Sequence, residues 1–194
     1  MGKAEKTRQF IIEKTAPVFN SKGFWGTSLQ DLTYATGLTK GSIYGNFKNK
    51  DEVALAVLEH NLNKVSSLVI RAIAEKKSYR DKLLCYPDLY EDFAKHDFPA
   101  GGCPILNTAI EADDTHPPLK ETAKKALLYW KDSLTYLINK GKEKGEFKPE
   151  TDAEENALAI IALIEGSRMM IKLTGKLNHN RSIMQTLRKL IVEL

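Results

Sequence analysis

Residues 27–50, TSLQDLTYATGLTKGSIYGNFKNK, decide the reading of this chain. Thr27 and Gln30 have the T-x-x-Q spacing of a capping box, in which side chain and backbone satisfy each other at a helix start. Leu29, Leu32 and Ala35 then recur at helical spacing and form one apolar stripe. Gly37 follows, and glycine reaches the left-handed conformation that ends a helix at little steric cost. Leu38 packs inward across the turn, and Thr39 is positioned to cap a second helix. Ile43 and Phe47, four residues apart, make its inner stripe, leaving Lys40, Gly41, Ser42, Tyr44 and Asn46 facing out. Gly41 and Gly45 weaken that helix by about 1 kcal/mol each relative to alanine. A bare face has a use where a DNA surface must approach the backbone closely. Two short helices, a tight turn and a small, polar and basic outer face are the layout of a helix-turn-helix reading head.

The pieces Gly26-Thr27-Ser28, Gly37-Leu38, Lys40-Gly41-Ser42, the Tyr44-x-x-Phe47 pair and Lys50-Asp51-Glu52 together resemble the DNA-binding region of the TetR/AcrR family of bacterial transcription regulators. The similarity is tight over about residues 5–60 and looser through the rest. One position departs: the residue before Phe47 is often His or Tyr in the family and here is Asn46. The resemblance implies an all-α fold of about nine helices. An N-terminal three-helix DNA-binding domain (1–50) would precede a C-terminal helical ligand-binding and dimerisation domain (51–194).

Composition agrees. The chain has 194 residues, 42% hydrophobic and 28% charged, enough for a sizeable core and globular rather than disordered. No apolar run is long enough to span a bilayer, and residues 1–10 lack a secretory signal. Two cysteines, Cys85 and Cys103, do not make a disulfide framework. The expectation is a soluble cytoplasmic protein. The net charge of +4 is unevenly placed: residues 1–50 hold eight basic against three acidic side chains, +5, leaving −1 for the remainder. A basic head on a near-neutral body suits phosphate binding through counterion release.

Nearly all of the chain reads as helix. Residues 4–21 carry Ile11, Thr15, Val18 and Phe19 at i, i+4, i+7, i+8, with a kink expected at Pro17 and an end at Gly23. Phe24 packs back on the head, and Trp25 fits a surface notch better than the DNA backbone. A long helix runs over about 49–75, then shorter ones over 83–96 and 104–113. Pro117 or Pro118 opens another to about 144, and two last helices span about 152–174 and 180–193. No alternating run supports a strand.

The DNA roles follow by type and position. Lys40 and Ser42 are candidates for base edges in the major groove, with Gly41 permitting close approach. Thr27, Ser28, Thr39, Tyr44, Asn46 and Lys50 are candidates for phosphate contacts that set register. The reading helix has no Arg or Gln, so DNA shape carries part of the specificity. The last two helices are rich in apolar residues, and the resemblance implies that they pair with their copies in a homodimer. Ile160, Ile164, Gly166, Ser167, Ile183, Leu187 and Leu190 are the expected interface; completing the monomer core is the competing role. The resemblance also implies a small-molecule effector pocket, with Tyr86, Tyr90, Phe93, Cys103, Trp130, Met169 and Met170 as candidates against ordinary core packing.

Gly101-Gly102-Cys103-Pro104 places Cys103 at a helix N-terminus, where the dipole and free N–H groups lower a thiol pKa. GGCPILNTAIEADD is also similar to a segment in family members that sense electrophiles or oxidants through a cysteine, while plain packing is the alternative for Cys103. Glu111, Asp113, Asp114 and His116 cluster at a turn, better suited to capping than to a metal, since no zinc-like spacing accompanies them. No cofactor motif and no catalytic signature occurs among the four histidines or the glycine loops. The resulting expectation is a repressor released from a palindromic double-stranded operator by a small molecule. A redox-sensing regulator acting through Cys103, or an activator of the same fold, are the alternatives.

Overall fold

The computed structural model describes residues 2–194. Its elements are α1 (Lys3–Gly26), α2 (Leu29–Thr36), α3 (Lys40–Tyr44), α4 (Lys50–Ala74), α5 (Tyr79–Glu91), a 3-10 turn (Phe93–Lys95), α6 (Pro104–Ala112), α7 (Pro117–Glu143), α8 (Ala153–Thr174) and α9 (Leu177–Glu193). Among the described residues the protein is all-α, with nine α-helices and no strand. None of these helices is long and apolar enough to cross a membrane.

Compactness divides the chain differently from a cut at residue 50. The first unit combines residues 1–65 with 99–126, and the second combines 66–98 with 127–194. The first is built on Ile11, Phe19, Phe24, Leu32, Ile43, Phe47, Val53 and Val57, joined by Ala112 and Leu119 from the later segment. The second centres on Leu83, Tyr86, Leu134, Ile138, Ile160, Ile164, Met184, Leu187 and Ile191. The first unit thus recruits α6 and the start of α7 to close the head's core.

Helix α1 runs through Pro17 with helical backbone angles, and its one departure falls at Gly23 (φ 74°, ψ 179°). Pro17 and Glu13 share an exposed face, where water can serve the carbonyl that proline leaves unbonded. Helix α5 starts earlier than its apolar pattern suggested, because Ser78 caps it by accepting the Asp81 N–H at 3.0 Å. It includes Pro87 and gives way to the 3-10 turn after Glu91. Arg188 of α9 pairs with Asp88 at 2.8 Å and with Glu91, tying α9 to α5.

The end of α1 is bolted to the α6 segment by polar contacts. Asn20 donates to the carbonyls of Ala100 (2.6 Å) and Gly102 (2.9 Å), and Asn107 donates back to the Asn20 carbonyl (2.9 Å). Glu111 accepts the N–H groups of Phe24 and Trp25, each at 2.8 Å. His116, 6% exposed, lies 3.0 Å from Asp51 and edge-on to Phe24. A Cβ at Gly101 would come within 2.9 Å of the Asn20 backbone, so glycine there permits the close approach.

Candidate nucleic-acid interface

The head is assembled from caps. The capping box that opens α2 uses Ser28 and Asp31, one residue on from the expected Thr27 and Gln30. Asp31 N–H donates to Ser28 Oγ (3.1 Å), and Ser28 N–H donates to Asp31 Oδ2 (2.8 Å). A carboxylate is the stronger acceptor and favours a helix N-terminus, which explains the shift by one. Lys22 also donates to Asp31 at 2.6 Å. That bond, with those from Ser28, lowers the Asp31 carboxyl to about 2.

Gly37 ends α2 in the left-handed region at φ 68°. Thr39 caps α3 by accepting the Ser42 N–H at 3.2 Å. Helix α3 has only five residues, and it stands because Ile43 and Phe47 are buried beneath it. Gly45 lies just beyond its end, so its helix-weakening cost does not fall inside α3.

The candidate DNA contacts separate on this geometry. Lys40, Gly41 and Thr39 are exposed, and Ser42 is half-buried beside them. Thr27 is corrected: it is 1% exposed and its hydroxyl donates to the Gly23 carbonyl at 2.6 Å, so it serves the turn. Ser28 is exposed but donates its hydroxyl proton to Asp31 at 2.8 Å. Tyr44 is half-buried against the core of the first unit. Asn46 donates its side-chain amide to the Ser42 carbonyl at 2.9 Å and so caps the end of α3. The Lys50 ammonium sits 4.3 Å above the Phe24 ring. Trp25 is 62% exposed, its indole N–H donating to Thr115 at 3.1 Å; it lies on the surface rather than filling a notch.

In the second unit, Tyr86 and Tyr90 are buried and both stack on Trp130, at centroid distances of 6.4 and 6.3 Å. Burial pushes the Tyr86 hydroxyl well above its ordinary pKa. Phe93 lies under the Arg168 guanidinium at 4.0 Å. Met169 and Met170 are each more than two-fifths exposed, unlike the buried Tyr86 and Tyr90. Cys103 falls in the first unit, as the N-cap residue of α6 with Pro104 at the first helical position. A cavity of about 30 Å³ in the first unit, lined by Phe19, Asn20, Asn61, Thr108 and Glu111 among others, has room for a water molecule.

The expected dimer residues divide by burial within the single chain. Ile160, Ile164, Ser167 and Leu187 are fully buried within one chain, and Ile183 and Leu190 pack partly against the same core. The four buried residues belong to the core of the second unit, while Ile183 and Leu190 keep part of their surface open. The large apolar side chains that α8 and α9 leave outside are Leu158, Met169, Met170, Leu173, Leu177 and Val192, with Gly166 half-buried.

Sequence reasoning missed Arg8, Asn20 and Asn107. The one signal for Asn20 was its place one residue after Phe19 on the inner side of α1; Arg8 and Asn107 carried none. It grouped Glu111 and His116 at a turn and assigned them to capping the next helix. His116 does accept the Leu119 N–H at 3.3 Å, whereas Glu111 caps the α1–α2 junction instead.

A capped two-helix head with a five-residue outer helix defines a helix-turn-helix DNA-binding protein. Residues 11–57 match the family model for bacterial regulatory proteins of the tetR family, and residues 80–187 match the tetracyclin repressor-like C-terminal domain. The chain therefore belongs to the TetR family of transcriptional regulators. A TetR-family regulator from Cytophaga hutchinsonii is similar at 47% identity and a TM-score of 0.95, covering 100% of this chain and 97% of that one. One from Chloroflexus aurantiacus is 35% identical with a TM-score of 0.94, covering 100% and 98%. Among curated proteins, the HTH-type transcriptional repressor ComR of Escherichia coli is 25% identical over 96% of this chain and 90% of its own length.

Proposed function

We propose that this regulator is a cytoplasmic repressor that binds a palindromic operator as a homodimer and is released by a small-molecule effector. The observation that carries the reading is the Thr39-capped α3, which presents Lys40, Gly41 and Ser42 outward on a buried Ile43–Phe47 anchor. Lys40 and Ser42 read base edges, while Thr39 and Lys50 contact phosphates. A single head binds too weakly to compete with non-specific DNA, so two are needed, about one helical turn apart. The homodimer face is the outer stripe of α8 and α9. Leu158, Met169 and Leu173 recur there at helical spacing on α8, beside the half-buried Gly166 that lets a helix approach.

An effector acts by binding the DNA-competent and released states with different affinity. A specific observation favours a second effector class. Cys103 is the half-buried N-cap residue of α6, within reach of a reagent, whereas Cys85 is buried and that burial raises its thiol.

The test is selection of duplexes from a randomised pool by the purified protein, followed by affinity measurement on the enriched sequence. The proposal expects a palindromic consensus, one dimer per site, and loss of discrimination at a single base pair in Lys40→Ala. Enrichment of no sequence would sink it. Alkylation that lowers affinity in wild type but not in Cys103→Ser would assign the effector class to electrophiles.

A further inference from the structure

The geometry points to Arg8 as the residue that fixes the register of the reading helix, a positioning residue for DNA recognition that itself stays off the DNA. The inference rests on α3 being the reading element, as proposed above.

A five-residue helix cannot hold its own orientation, because helix nucleation is unfavourable and most helical stability comes from packing. Ile43 and Phe47 anchor its inner side. Its far end runs into residues 45–49, a turn that could swing unless tied. Arg8 reaches this turn from α1. Its Nη1 donates to the Asn46 carbonyl at 2.6 Å, and its Nη2 lies 2.9 Å from Glu52 Oε1 on α4. The guanidinium carbon stands 3.9 Å from the centroid of the Phe47 ring. Glu52 in turn accepts the Lys48 N–H at 2.7 Å with its other oxygen. The carbonyl of residue 46 and the amide of residue 48 are therefore held by the two halves of one ion pair, with the ring of residue 47 clamped between.

Only a planar fork can donate in two directions while stacking on a ring, so arginine and lysine are not interchangeable here. Arg8 and Glu52 side chains are 37% and 34% exposed, a setting in which ion pairs add little to stability. What the pair sets is geometry. Asn46 lies at the junction: its side-chain amide returns to the Ser42 carbonyl, so the tie reaches the outward-facing Ser42. Both terminal guanidinium nitrogens have partners within the protein, the geometry of a positioning residue.

The experiment uses the full chain and two fluorescent duplexes: one enriched by wild type from a randomised pool, and a scramble of the same composition. Affinities are read from about 50 to about 200 mM salt, with melting temperatures alongside. Arg8→Met keeps an unbranched stem over Phe47 and removes the fork; Arg8→Lys keeps the charge. Both are expected to weaken the enriched duplex by about tenfold or more and the scramble by less than about twofold, with the salt slope unchanged. Glu52→Gln is expected to give a smaller loss in the same pattern. An equal loss on both duplexes, with the slope reduced by about 0.9, would make Arg8 a phosphate contact and overturn the inference. Full affinity in Arg8→Lys would overturn it too, because charge alone would then suffice. If Arg8→Met fails to fold, Arg8→Lys and Glu52→Gln carry the comparison. Failure of wild type to enrich any sequence would instead remove the reading of α3 on which the inference stands.

Discussion

Replacing Glu111 with alanine leaves two backbone N–H groups at the α1–α2 junction without their acceptor. Both bonds are 2.8 Å and end on a carboxylate, the stronger kind of acceptor. The Phe24 N–H is partly buried, and losing a charged partner there costs about 1.5–3 kcal/mol. The Trp25 N–H is exposed and water replaces the carboxylate, adding well under about 1 kcal/mol. The sum is about 2–3 kcal/mol. For a chain of 194 residues this lowers the melting temperature by about 4–12 °C.

A second substitution locates the effect. A Cβ at Gly23 would lie 2.3 Å from Glu111 Oε2, and Gly23 has φ 74° with ψ 179°, a region nearly closed to other residues. Gly23→Ala therefore carries a backbone cost of about 1–3 kcal/mol and also expels the carboxylate. With Glu111 already alanine, only the backbone cost remains. The double variant should thus be less destabilised than the two singles added together, by about 1–2 kcal/mol. Denaturant unfolding followed by circular dichroism measures all four proteins. Additivity within about 0.5 kcal/mol, or a Glu111→Ala effect smaller than that, would refute the assignment of this carboxylate as the junction's clamp.

Arg80 donates to the carbonyls of Ile191 (3.1 Å), Val192 (2.6 Å) and Glu146, so Arg80→Ala should cost about 3 kcal/mol and lower the melting temperature by about 6–12 °C. A Cβ at Gly141 would fall 2.1 Å from the Phe147 ring, and Gly141→Ala should destabilise by at least about 1–3 kcal/mol, read by the same denaturation assay. Asp31 has its folded-state carboxyl lowered to about 2 from 3.8, so its contribution is complete above about pH 4 and is lost as the pH falls towards 2. Asp31→Asn should flatten acid unfolding in that window and leave the pH dependence above it unchanged. Leu173→Glu, at a position 79% exposed in the single chain, should shift sedimentation from dimer to monomer without loss of helicity; Ile164→Ala, at a fully buried one, should instead cost about 2–5 kcal/mol of stability.

The head was legible because its instructions are local. Gly37 and Thr39 act on residues within four positions of themselves, and both take the expected conformations. Even the error there was local: Thr27 and Ser28 are adjacent hydroxyls, and the carboxylate at residue 31 chose between them. The bolt between α1 and α6 was illegible for the opposite reason. Asn20 meets Ala100 and Gly102 across 80 and 82 residues of chain, and no periodicity marks a polar pair at that separation. On α8 and α9 the pattern showed that apolar surface exists, but not which side the chain itself would cover. The core of the second unit takes Ile160, Ile164 and Leu187, leaving Leu173 and Leu177 outside.

The first unit's two-part origin has a consequence for synthesis. Its core needs Ala112 and Leu119, which leave the ribosome long after the three head helices have emerged. Until then the nascent head exposes an open apolar flank and an unclamped junction, at a chain growth of about 5–20 residues per second. Closure of the first unit's core thus waits until residues through about 126 are free to fold.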